Sequence, residues 1–79
     1  MDDKTRLNKV IEIFKKLKEL NLGIENYDEF NNFRQICNEF IRNGNATNGR
    51  IKVFGTKRII CYNFDEENVD CSLKYDENI

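Results

Sequence analysis

The chain reads as an α+β protein, a two-helix antiparallel hairpin packed on one face of a three-stranded antiparallel meander in the order ααβββ. Three observations predict this. Apolar residues recur at intervals of three and four through the first 43 residues. From about residue 50 the period falls to two. Two polar interruptions, Gly55-Thr56 and Asp65-Glu66-Glu67-Asn68, then divide the alternating stretch at hairpin spacing.

The first helix is predicted over residues 3–21. Leu7, Val10, Ile11, Phe14 and Leu17 form its apolar stripe, widened by Ile13 and Leu20. Asp2 or Asp3 supplies the N-cap, with a charge that suits the positive end of the helix dipole. Lys15, Lys16 and Lys18 gather at the opposite end. Gly23 is expected to give the left-handed stop, with Ile24 folding back on the last turn.

A second helix is predicted over residues 27–43. Asn26 and Glu29 have capping-box spacing, with Asn in place of the usual Ser or Thr. Phe30, Phe33, Ile36, Cys37, Phe40 and Ile41 form the apolar side, while Asn31, Asn32, Gln35 and Asn38 lie largely opposite. Asn43-Gly44 ends it. The short connection folds the two helices into an antiparallel pair.

Strands are predicted at 50–54, 57–64 and 69–75. Gly55-Thr56 suggests a two-residue type II′ turn, which pairs Val53 with Arg58 and Ile51 with Ile60. The four-residue loop 65–68 pairs Phe64 with Val69, Tyr62 with Cys71 and Ile60 with Leu73. Directly opposed residues share a face. One face therefore collects Ile51, Val53, Ile60, Tyr62, Phe64, Val69, Cys71 and Leu73, with Tyr75 at its edge. The other collects Arg50, Lys52, Phe54, Lys57, Ile59, Cys61, Asn63, Asp70, Ser72, Lys74 and Asp76. A slip of one residue would destroy this sorting.

Size and composition bound the function. The 79 residues suffice for one small domain, 1–79, in which nearly every patterned apolar residue is needed for the core. The formal charge of −1 gives no global attraction to nucleic acid or an acidic membrane. No apolar run approaches the ~20 residues of a membrane span, and no signal-peptide pattern appears. The chain reads as intracellular, in the cytoplasm or nucleus. Asn (12), Ile (9) and Lys (8) dominate the composition, which points to an A/T-rich genome such as that of a bacterium, a protist or a large DNA virus.

The residue types argue against an enzyme. Histidine is absent, which removes the commonest general base and metal ligand. Cys37, Cys61 and Cys71 lack zinc-site spacing, and the register points Cys61 and Cys71 to opposite faces, so they form no disulfide. Separate thiols fit a reducing compartment. Cys37 and Cys71 read as small core residues, whereas Cys61 on the open face is the modifiable one. The Asp65–Glu67 turn lacks the ligand pattern of a calcium loop, and the glycines are dispersed turn residues with no phosphate-binding motif. No cofactor, metal or small-molecule substrate is expected.

Charge distribution is the distinctive signal. Residues 30–64 carry six cations against Glu39, a net of +5, and residues 65–79 carry six acids against Lys74, a net of −5. The register sets Lys57 opposite Asp76, so the acidic end partly cancels the basic tip. The sequence therefore predicts a small interaction or accessory protein that binds a protein partner, or itself as a homo-oligomer, through the open sheet face. Its expected contact residues are Arg50, Lys52, Phe54, Lys57, Ile59 and Lys74, with Phe54 and Ile59 exposed among the cations. The alternative is a nucleic-acid-binding protein that uses the basic hairpin 50–58. Arg50, Lys52, Lys57, Arg58 and Lys74 would then contact phosphates while Phe54 stacks on bases.

Overall fold

The computed structural model describes residues 2–22, 28–53 and 55–75. Helices α1 (Asp3–Glu19) and α2 (Asp28–Asn43) precede strands β1 (Thr47–Lys52), β2 (Arg58–Phe64) and β3 (Val69–Tyr75). The strands form one antiparallel sheet in the order β1-β2-β3. The ααβββ architecture is the one predicted. The expected Gly23 stop with Ile24, the Asn26 cap, the exposure of Phe54 and the Asp76 pairing fall outside the described residues.

Asp2 caps α1 as anticipated. It is extended (φ −86°), and its Oδ1 accepts the Thr5 N–H at 2.8 Å. These Thr5 hydrogen bonds hold the Asp2 carboxyl below its usual range. The helix ends two residues earlier than predicted. Asn21 takes the left-handed conformation (φ +49°), and its N–H donates to the Lys18 carbonyl. Asparagine tolerates this region better than most residues. At the end of α2 Gly44 does the same (φ +69°), with its N–H donating to the Phe40 carbonyl at 2.8 Å.

The strand register matches the pattern-based one residue for residue. Ile51 faces Ile60, Tyr62 faces Cys71, and Phe64 faces Val69. The turn that delivers it differs from expectation. The Thr56 N–H donates to the Val53 carbonyl, which places Gly55 (φ +74°) second of the two central positions, where type II′ would need it first. The Thr56 hydroxyl also donates to the Val53 carbonyl and accepts the Arg58 N–H. Register survives because this turn too pairs Val53 with Arg58, at 3.0 Å from N to O. The second loop closes on Asp65, whose carboxylate accepts the N–H groups of Glu67 and Asn68.

β1 begins at Thr47, three residues before the predicted start, and pairs through Lys52. Thr47-Asn48-Gly49 has no apolar alternation to announce a strand. Gly49 nevertheless has a packing role: a Cβ there would lie 2.5 Å from Tyr62 Oη. The Tyr62 ring therefore covers the backbone of the opposite strand, where only glycine fits.

Both helices lie on one side of the sheet. Val10, Ile13 and Leu17 of α1 and Phe30, Phe33, Cys37 and Phe40 of α2 meet Ile51, Val53, Ile60, Tyr62 and Phe64 in one core. Phe33 sits at its centre, with ring centroids 5.0 Å from Tyr62, 6.0 Å from Phe64 and 5.7 Å from Phe14. Such aromatic pairs add about 0.5–1.5 kcal/mol each beyond burial. α1 is rotated relative to its predicted stripe. Ile13 is buried, while Leu7 and Ile11 are exposed. Seven apolar positions on one helix exceed what a three-stranded sheet and a single neighbouring helix can cover.

That rotation also buries Arg6. Its Nε donates to the Ile41 carbonyl at 3.1 Å, and its guanidinium pairs with Asp3 and lies against Gly44. It thus supports the C-terminal end of α2, where a cation is favoured by the helix dipole.

Candidate functional site

Three rows of side chains make up the sheet face turned away from the helices. Lys52, Ile59 and Lys74 lie side by side in the first, Arg50, Cys61 and Ser72 in the second, and Asn48, Asn63 and Asp70 in the third. Strand alternation alone puts them there, because their neighbours in sequence are committed to the core. All but Ile59 and Cys61 are exposed. Among the described residues none of Arg50, Lys52 and Lys74 enters an ion pair.

The structure brings together only part of the predicted set. Arg50, Lys52 and Lys74 share the open face. Lys57 is exposed in the turn just before β2. Ile59 corrects the expectation of an exposed apolar contact, since only 7% of its surface is accessible although it stands on the open face. The pairing sets Lys52 and Lys74 on either side of it, and lysine stems lie along apolar surface while their ammonium groups reach water. The row therefore presents two exposed cations beside a buried isoleucine. Arg58 separates from the other cations. It is half-buried, opposes Tyr75, and holds its guanidinium carbon 6.0 Å from that ring's centroid. A nucleic-acid surface built on Arg50, Lys52, Lys57, Arg58 and Lys74 acting together thus loses one member.

The three cysteines are free thiols in three settings. Cys37 is buried between α2 and the sheet, and burial pushes its thiol up to about 12. Burial also pushes Cys71 up to about 11. Both are protonated at neutral pH and poor nucleophiles. Cys61 stands half-buried on the open face between Arg50 and Ser72. Among the described residues no cluster of three or more His, Cys, Asp or Glu is placed to hold a metal ion. No helix among them is long and apolar enough to cross a membrane.

One feature went unread in the sequence. A groove of about 320 Å³ runs between α1 and β3, with Leu17 and Leu20 on one wall and Val69 and Leu73 on the other. Leu20 and Leu73 are both exposed in its walls. Its signal was present as the surplus apolar positions of α1 and the apolar residues of an edge strand. Compared with known protein families, curated proteins and solved structures, the chain matches none of them.

Proposed function

We propose that this is a small non-enzymatic interaction protein that docks an acidic surface of a protein partner on its open sheet face. Arg50, Lys52 and Lys74 are the contact residues, with Lys57 at the rim. One observation carries the reading: three exposed cations that enter no ion pair among the described residues stand on the sheet face turned away from both helices. Such a surface favours complementary charge and steers encounter. It suits an acidic protein better than nucleic acid, because three or four phosphate contacts give little affinity at physiological salt. The three free thiols support an intracellular, reducing compartment for this role.

The test titrates a labelled acidic peptide and, separately, a single-stranded oligonucleotide against the protein at low and physiological salt. Wild type is compared with Arg50→Glu/Lys52→Glu/Lys74→Glu. The proposal expects peptide binding that the triple reversal abolishes. Preferential oligonucleotide binding with a steep salt dependence would favour the nucleic-acid reading. Binding of neither ligand, or peptide binding that survives the reversal, would overturn the proposed site.

A further inference from the structure

We infer that the free edge of β3 pairs with β3 of a second copy of this chain, antiparallel about a two-fold axis at Ser72, to make a continuous six-stranded sheet. This goes beyond partner binding on the open face: it uses an edge of the sheet and shares only Lys74 with that site.

The direction of the backbone groups follows from two hydrogen bonds. The Val53 N–H donates to the Arg58 carbonyl, and the Asp65 N–H donates to the Asn68 carbonyl. Hydrogen-bonded and non-hydrogen-bonded pairs alternate along an antiparallel ladder. Asp70, Ser72 and Lys74 therefore spend their backbone groups on β2. Val69, Cys71, Leu73 and Tyr75 direct theirs outward, along an edge that no further strand covers among the described residues. An antiparallel copy must set outward residue against outward residue, so the axis falls on a residue position and not between two.

The charges select which residue. Pairing about Ser72 sets Asp70 of each copy opposite Lys74 of the other, giving two cross-strand ion pairs on the open face. The same register sets Cys71 beside Leu73, and Val69 beside Tyr75, on the helix side. Tyr75 is 67% and Leu73 37% exposed in the single chain, and both gain apolar neighbours. The α1–β3 grooves of the two copies then meet across the axis. Pairing about Cys71 or Leu73 would face Ser72 with Asp70 or with Lys74 and lose this match.

The opposite edge behaves differently. Between Thr47 and Lys52 the charged residues are Arg50 and Lys52, with no acid among them. Two copies of β1 paired about Arg50 would set like charges face to face, which blunts that edge against pairing. β3 instead holds one charge of each sign, two residues either side of its centre.

The experiment is sedimentation equilibrium over a concentration series, with circular dichroism on each variant to confirm folding. Wild type should dimerise. Asp70→Lys and Lys74→Asp should each weaken the dimer by about tenfold or more, because two-fold symmetry makes each change count twice. The double variant Asp70→Lys/Lys74→Asp exchanges the partners and should restore it. In a Cys61→Ser background, Ser72→Cys should oxidise to a covalent dimer, because a non-hydrogen-bonded pair stands about 4.5 Å apart at Cα. A wild type that stays monomeric at every concentration would overturn the inference. So would a dimer indifferent to the single reversals, or one that the double exchange fails to restore. Acidic-peptide binding plays no part in these readouts, so this inference and the proposed site can fail separately.

Discussion

Alternate residues of the same three strands have opposite fates. On the helix side Ile51, Val53, Ile60, Tyr62 and Phe64 are sealed beneath α1 and α2, and Ile60 has no accessible surface at all. One residue away along β2, Ile59 stands on the face turned away from the helices and belongs to no core cluster among the described residues, yet it too is mostly hidden. Backbone and strand are shared, so the difference lies in what does the covering. Ile60 is covered by other apolar side chains locked in a close-packed core, whereas Ile59 has flanking lysines as its nearest row neighbours. Equal burial of two isoleucines therefore stands for unequal energies, and an apolar residue on an open sheet face is not thereby a docking hot spot.

That contrast is broken most strongly by truncation. Ile60→Ala should cost about 2–5 kcal/mol, since the rigid core cannot collapse on the cavity. Ile59→Ala should cost about 1 kcal/mol, because Ile59 stands outside the close-packed core cluster. Urea unfolding of both variants measures the gap directly, and equal costs would mean that the open face hides a second core.

A subtler probe adds a single methyl group on the helix side. Gly49→Ala forces its Cβ against the Tyr62 hydroxyl and ring, at 2.5 and 2.8 Å, and should cost about 1–3 kcal/mol. Coupled with Tyr62→Leu, the two effects should fall short of additive, since the same contact is removed twice. Full additivity in thermal melts would show that Tyr62 does not rest on Gly49.

The smallest effect is alkaline. Burial holds Cys37 and Cys71 protonated to about 12 and about 11, whereas an unfolded chain releases thiol protons near about 8.5. Below pH 8 both states hold these protons and nothing changes. From about pH 9 upward the unfolded chain holds fewer protons than the folded one, so stability falls as pH rises. Cys37→Ala should flatten that fall between pH 9 and 10, whatever it does to stability at pH 7. An unchanged slope would place Cys37 in contact with water.

Much of this organisation could be read from residue order. The period change near residue 50, the two interruptions and the β3 boundaries were legible because alternation between apolar and polar residues is dense from Ile51 to Tyr75. The beginning of β1 was not, because Thr47-Asn48-Gly49 acts through a missing side chain beneath Tyr62. The facing of α1 was ambiguous for the opposite reason: Leu7, Ile11 and Ile13 compete for one core. Arg6 left no signal beyond its position, since its partners at Ile41 and Gly44 are 35 and more residues away. On the open face Arg50, Lys52 and Lys74 were placed correctly by alternation. Concealment of Ile59 was not legible, because a pattern along one strand reports nothing of what packs over it from elsewhere.

The three native thiols test the sorting of faces in one experiment. Timed alkylation of the folded protein at pH 8, read by peptide mass spectrometry, should modify Cys61 first, half-buried Cys71 more slowly, and buried Cys37 only when the chain opens. Rapid modification of Cys71 with Cys61 protected would mean that the sheet presents its other face to the helices, and would contradict the account.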